Sequence, residues 1–168
     1  PGDQRPTVLQ TANGVPQINI QTPSAAGVSR NTYSQFDVGS KGVILNNSRT
    51  DTSTQIGGYV QANPWLATGG ARVILNEVNS SSASQIRGYV EVAGQRAEVI
   101  IANPAGITCN GCGFINATRA TLTTGISEFK DGALDRFRVE RGSVLLEGAG
   151  LDARQTDHTS ILTRALVL

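Results

Sequence analysis

A chain of 168 residues, 39% hydrophobic, is long enough to bury a substantial core without metal or disulfide staples. Only 16% is charged, and the polar remainder is Asn, Gln, Ser and Thr with 19 Gly, a composition of short strands and tight turns rather than of disorder. The net charge is +1 with basic residues scattered singly, which excludes the Lys/Arg-and-aromatic surface that binds nucleic acid.

No apolar run approaches the length of a membrane-spanning helix; runs such as Val43-Ile44-Leu45 and Leu166-Val167-Leu168 are far too short. No signal peptide is visible, and a chain without Met that starts at Pro1 reads as processed or trimmed at its N-terminus.

In chain order, Val15 to Ile20 alternates apolar and polar, which predicts a half-buried strand. Phe36 and Val38 repeat that pattern. Val43 to Leu45, Val73 to Leu75, Val99 to Ile101 and Val144 to Leu146 are apolar on both faces, so they belong inside a layered stack. Ala117 to Thr124, rich in β-branched Thr, reads as a strand rather than a helix. Around Phe137 and Val139, the residues Arg136, Arg138 and Glu140 take the wet face. Turn dipeptides recur at Asn13-Gly14, Gly57-Gly58, Gly69-Gly70, Asn110-Gly111 and Asp131-Gly132. Ile161 to Leu168 is a strongly apolar strand with no polar cap after it, which predicts that the native chain continues.

Two segments recur at one common offset. Val43-Ile44-Leu45-Asn46 returns as Val73-Ile74-Leu75-Asn76, and Gln55 to Val60 returns, shifted equally, as Gln85 to Val90. A fixed period of that size in strand-rich sequence points to a β-solenoid, with a β-sandwich as the competing arrangement. Asn46, Asn63, Asn76 and Asn103 each follow an apolar run. They fit either a stacked amide ladder or simple turns, and for Asn46 and Asn76 the turn is the expectation.

Chemistry is sparse. Cys109 and Cys112, the only cysteines, lack the further ligands a structural zinc needs and the βαβ context of a redox motif. They remain as a tight local disulfide or two reduced thiols, the disulfide being favoured outside the cytoplasm. His158, within Thr156-Asp157-His158-Thr159-Ser160, cannot assemble a triad with strand neighbours that point to opposite faces, so an exposed loop histidine is expected. The Asp and Glu residues form no close acidic pair; Glu91, Glu98, Asp135, Glu140 and Glu147 read as solvated strand positions. No catalytic residue, cofactor or metal is assigned.

Asn63-Pro64-Trp65-Leu66 and Asn103-Pro104-Ala105-Gly106-Ile107 resemble the Asn-Pro-Asn-Leu and Asn-Pro-Asn-Gly-Ile motifs of two-partner secretion (TPS) domains. Val73 to Val78, Glu91 to Gly94, Cys109 to Asn116, Arg119 to Gly125, Asn46-Asn47-Ser48 and Arg164-Ala165 extend the similarity in order along nearly the whole chain. The resemblance is to the filamentous haemagglutinin and haemolysin family, nearest to the N-terminal domains of contact-dependent growth inhibition (CdiA-like) toxins.

It implies an all-β fold: a right-handed parallel β-helix with an N-terminal β cap and short extra-helical strands, residues 1–168 forming one secretion domain of a larger exoprotein. It implies a non-enzymatic, monomeric targeting domain for a CdiB-like outer-membrane transporter, recognised by that transporter's periplasmic domains, with no nucleic acid or small-molecule substrate. Passage through the periplasm of a Gram-negative bacterium and release outside, or display at the surface, go with it. An adhesin or haemagglutinin module that binds cell surfaces is the alternative. Asn63, Pro64 and Leu66, with Asn103, Pro104, Gly106 and Ile107, are the residues carried over, either as transporter contacts or as corners of a coil. Trp65 and Ala105 depart from the family pattern.

Overall fold

The computed structural model describes residues 5–168. Strand β1 (Thr7–Gln10) runs antiparallel to β2 (Pro16–Asn19), after which the chain winds into successive coils. The first coil holds β2 and β3 (Val28–Tyr33). The second runs through β4 (Val43–Asn47), an excursion of β5 (Thr52–Thr54) and β6 (Gly58–Val60), a 3-10 turn at Pro64–Leu66, then β7 (Val73–Val78) and β8 (Ser84–Ile86). The third holds β9 (Tyr89–Gly94), β10 (Ala97–Ala102) and β11 (Ile107–Cys109).

The fourth holds β12 (Cys112–Ile115) and β13 (Ala117–Thr123), then a hairpin of β14 (Ile126–Lys130) and β15 (Ala133–Arg138), then β16 (Ser143–Leu146). The last is β17 (Leu151–Asp152), β18 (His158–Leu162) and β19 (Ala165–Val167).

Three stacks result: β1-β2-β4-β9-β12-β17, β3-β7-β10-β13-β18 and β8-β11-β16-β19. Every pairing between coils is parallel. This is the right-handed parallel β-helix, parallel crossovers having that hand, with an antiparallel strand at its N-terminal end and two antiparallel hairpins outside it.

The register sets the coil length, and it does not follow the offset of the sequence repeat. Val73 stacks on Glu98, Val99 on Ala120 and Ser84 on Ile107, each a shorter step than that from Val43 to Val73. Where a hairpin is inserted the step lengthens: Val43 stacks on Val90 and Arg119 on His158. The two copies of Val-Ile-Leu-Asn lie in different stacks, β4 in the first and β7 in the second. An insertion between two of the faces yields a sequence offset that the stacking does not share.

The doubly apolar runs have a direct cause. In β7 and β10, Ile74, Val99 and Ile101 point into the coil interior. Leu75 and Ile100 point outward, where Phe129, Leu134 and Phe137 of the β14–β15 hairpin cover them. In β4, Val43 and Leu45 face the interior while Ile44 lies under the β5–β6 excursion with Val60 and Ile56. Covering both faces removes the outer strand surface from water at about 25 cal/mol per Å² of apolar area. The wet face expected for β15 is present: Arg136 and Arg138 are exposed and reach Glu128 on β14 at 3.0 and 3.2 Å.

Several expectations are corrected. Asn46 and Asn76 are fully buried within strands, not at turns. Asn46 Nδ2 donates to Asn19 Oδ1 of the preceding coil at 3.0 Å, and Asn76 Nδ2 donates to Ile100 O of the following coil at 3.1 Å. Tyr33 donates its hydroxyl to Asn76 Oδ1 at 2.9 Å, and burial pushes that phenol far above its ordinary range. The outer face of β2 is covered as well, Gln17 and Asn19 being buried and bonded to each other. Phe36 and Val38 are core residues, but only Val38 pairs, as an isolated bridge to Ile86. His158 is exposed, as expected, yet it opens strand β18 rather than sitting in a loop.

Candidate functional site

The two Asn-Pro motifs occupy corners of the second and third coils, each just past an excursion or a strand. At the first, Asn63 has extended dihedrals (φ −81°, ψ 115°) and caps the 3-10 turn that Pro64 begins. Proline suits that position because its fixed φ is helical and its missing N–H would have no partner there. Asn63 is 3% exposed. Its Oδ1 accepts the N–H of Trp65 at 2.9 Å, while Nδ2 donates to Ile20 O at 3.0 Å and Asn46 O at 2.9 Å. One amide therefore joins the first coil to the second. Leu66, 1% exposed, drops into the interior cluster, and Arg49 caps the turn's end through Leu66 O and Ala67 O at 3.0 Å each.

The second corner repeats the device. Asn103 is fully buried; its Oδ1 accepts the N–H of Ala105 at 2.9 Å, and Nδ2 donates to Ser82 O at 2.8 Å and Ser84 Oγ at 2.9 Å. The backbone closes the turn, Gly106 N bonding Asn103 O at 3.0 Å. Gly106 sits at φ +124°, a conformation in which any side chain is strained. Ile107, 1% exposed, then enters the core as the first residue of β11.

An amide carries two N–H bonds, and at both corners both are directed to acceptors inside the protein. Positions 65 and 105, where the family pattern has a second Asn, contribute their backbone N–H to the corner, so the turn closes without an amide there. At position 65 the side chain points outward: the Trp65 ring is 45% exposed and its Nε1 donates to Thr7 Oγ1 of β1 at 3.4 Å. Pro64 is exposed and Pro104 half-buried. The structure thus brings the seven motif residues into two separate corners rather than one cluster.

Cys109 and Cys112, both fully buried, are joined as a disulfide across the corner between β11 and β12. Cys112 lies in the same stretch as Tyr89 and Asp152, which meet over Gly113: a Cβ on that glycine would stand 2.4 Å from the Tyr89 ring. The Tyr89 hydroxyl donates to Asp152 Oδ2 at 2.5 Å, and Arg154 grips the same carboxylate at 2.9 and 2.8 Å. The Arg154 side chain, then that of Tyr89, holds Asp152 well below the usual carboxylate range.

A carboxylate with a depressed native pKa contributes stability above its unfolded value of about 3.9 and loses it as pH falls through the native value. NMR titration is expected to find Asp152 still ionised at pH 3, where a free aspartate is mostly protonated. An ordinary titration midpoint there would show that the triplet does not hold in solution.

Sequence reasoning missed Glu91. It points outward from β9, as alternation says, yet it is 4% exposed because the β5–β6 excursion lies over it. Its carboxylate accepts the N–H groups of Gln55, at 3.0 and 2.8 Å, and of Ile56 at 2.9 Å. The only sequence signal is a lone acidic residue between Val90 and Val92, which a solvated strand shows equally well. Among the described residues no group of His, Cys, Asp and Glu side chains is placed to hold a metal ion.

Known proteins are similar to this chain in sequence and in fold. The chain is 61% identical over 166 residues to the toxin CdiA of Yersinia pestis, covering 99% of the chain and 5% of that protein. It is 49% identical over 167 residues to the tRNA nuclease CdiA-2 of Burkholderia pseudomallei, covering 98% of the chain and 5% of that relative. The chain therefore spans about a twentieth of the curated relatives it matches. Its fold superposes on the secretion domain of filamentous hemagglutinin with a TM-score of 0.92 at 40% identity, covering 98% of this chain and 55% of that one. The family described as TPS secretion domain matches residues 1–167. On that match and on the shared coil architecture, the chain belongs to the TPS secretion domain family and serves secretion across the outer membrane of Gram-negative bacteria.

Proposed function

We propose that this chain directs a long CdiA-type toxin across the outer membrane through a CdiB-like transporter, whose periplasmic domains recognise it after the signal peptide has been removed. The observation that carries the reading is the extent of the similarity: nearly all of this chain matches, but only 5% of each toxin. A short segment shared by proteins named for different activities suits an address better than an activity. The domain acts as a monomer and catalyses nothing. Its last coil, once folded outside the cell, offers β18 and β19 as edges on which further coils add, since each rung supplies the edge for the next.

In this reading the Asn-Pro motifs act through shape. Asn63 and Asn103 fix two corners whose amides are already used, and recognition depends on the surfaces those corners hold in place. Trp65 and Ala105 are then tolerated because their backbone N–H groups, not their side chains, close the turns.

The test is a secretion assay with the chain behind a signal peptide, with and without the transporter encoded beside it. Appearance outside the cell only when the transporter is present is the expected result. Retention of folded, stable protein in both cases would remove the targeting reading and favour a cell-surface adhesin.

A further inference from the structure

The second stack ends in two edge strands, β3 in the first coil and β18 in the last, and they are covered differently. Val28 and Leu162 both carry their side chains on the outer face, beside Val73 and Thr123 of the neighbouring strands. Val28 is 5% exposed and Leu162 is 42% exposed. The cover over Val28 is the β14–β15 hairpin, which leaves the fourth coil and reaches back across the third and second to the first. Its Phe129, Leu134 and Phe137 pack on Ile100, Leu75 and Val28, one residue from each coil crossed.

The hairpin is shaped for that span. At its tip Asp131 and Gly132 both have positive φ, 53° and 77°, a turn that matches the twist of two paired strands. Glu128 pairs with Arg136 and Phe129 with Leu134, so Asp135 is an extra residue in β15. That bulge lets Leu134 and Phe137 face the sheet together although they are three apart. The far end is fastened to the first coil. Ser24 Oγ donates to Gly132 O at 2.8 Å, across 108 residues of sequence. The Arg30 guanidinium of β3 lies 4.3 Å over the Phe129 ring, and Glu77 of the second coil holds its Nε at 2.6 Å.

We infer that the β14–β15 hairpin is a clasp: it closes on the first coil only after three coils have stacked, and it binds four coils into one cooperative unit. Stacked repeats held by nearest neighbours alone open from their ends. The clasp adds a contact between coils that are not neighbours, so β3 cannot peel away without lifting the hairpin from Leu75 and Ile100 as well. Until it closes, those outward apolar residues stand in water. For a chain that folds outside the cell, closure commits the N-terminal coils to the wound state. The clasp itself does not depend on how the chain reached the outside.

Hydrogen exchange on the purified 168-residue chain, read segment by segment by mass spectrometry, tests the clasp. Val28–Tyr33 is expected to exchange as slowly as Val73–Val78, and His158–Leu162 about tenfold faster or more. Phe129→Ala takes away the ring that meets Arg30. It is expected to speed exchange in Val28–Tyr33 about tenfold more than in β9 and β12, because the first coil then opens by itself. Should Phe129→Ala fail to fold, Leu134→Ala decides by the same comparison. Wild-type β3 exchanging as fast as β18 would overturn the clasp. So would a hairpin variant in which β3 and the first stack speed up equally, the mark of general packing loss rather than of a released end.

Discussion

Replacing Asn103 with alanine is expected to lower stability by about 3 kcal/mol. The side chain is fully buried and makes three hydrogen bonds, to Ser82 O, Ser84 Oγ and the N–H of Ala105. Truncation leaves all three partners without a replacement, and each unsatisfied group costs roughly 1–3 kcal/mol before relaxation. Asn103→Asp is as harmful for a different reason. It keeps the acceptor for Ala105 but sets a carboxylate oxygen against Ser82 O at the position of a 2.8 Å bond, burying an unpaired charge.

Urea unfolding of the purified variants measures both. Secretion should fall with stability, since the corner carries Pro104 and Gly106 into place. A loss below about 1 kcal/mol would show that the backbone closes this corner without the amide.

Glu91→Ala is expected to cost about 3 kcal/mol through the excursion rather than through the coil. The carboxylate holds the N–H groups of Gln55 and Ile56, and hydrogen bonds to a charged acceptor contribute more than neutral ones, roughly 1.5–3 kcal/mol. Without them the β5–β6 excursion relies mainly on the contact of Val60 and Ile56 with Val15, Ile44 and Ala93. Hydrogen exchange should therefore speed up across Thr52–Val60 while β9 and β10 stay protected. Glu91→Gln, which keeps one acceptor oxygen, should lie between. Uniform loss of protection along the whole coil would mean that Glu91 supports the stack itself and not its cover.

How far the sequence reaches is visible in individual residues. The alternation at Phe137 and the apolar runs at Val73 to Leu75 and Val99 to Ile101 mark the right strands and place those runs between two covered faces. The motif residues stand out because Asn, Pro and Gly have few reasons to recur in that order, each being tied to a backbone conformation. Asn46 and Asn76 mislead because an Asn after an apolar run looks the same whether it turns the chain or bonds across a coil. Glu91 misleads because alternation gives the side of a strand a residue faces, but not what lies over that side. The coil length is hidden since the offset between the two repeat copies includes segments that leave the stack.

Strands, their apolar faces, the corner residues and, through motif order, the family are all written in the chain. They follow from local conformational preference and from periodicity, which near neighbours fix. The register that sets Val73 on Glu98 and Val99 on Ala120 had to come from the folded molecule. So did the burial of Glu91 and of the inner asparagines. Those depend on which coil lies beside which and on where the two hairpins fold back. A partner in another coil is selected by packing and hydrogen-bond satisfaction, and neither leaves a mark at the residue that receives it.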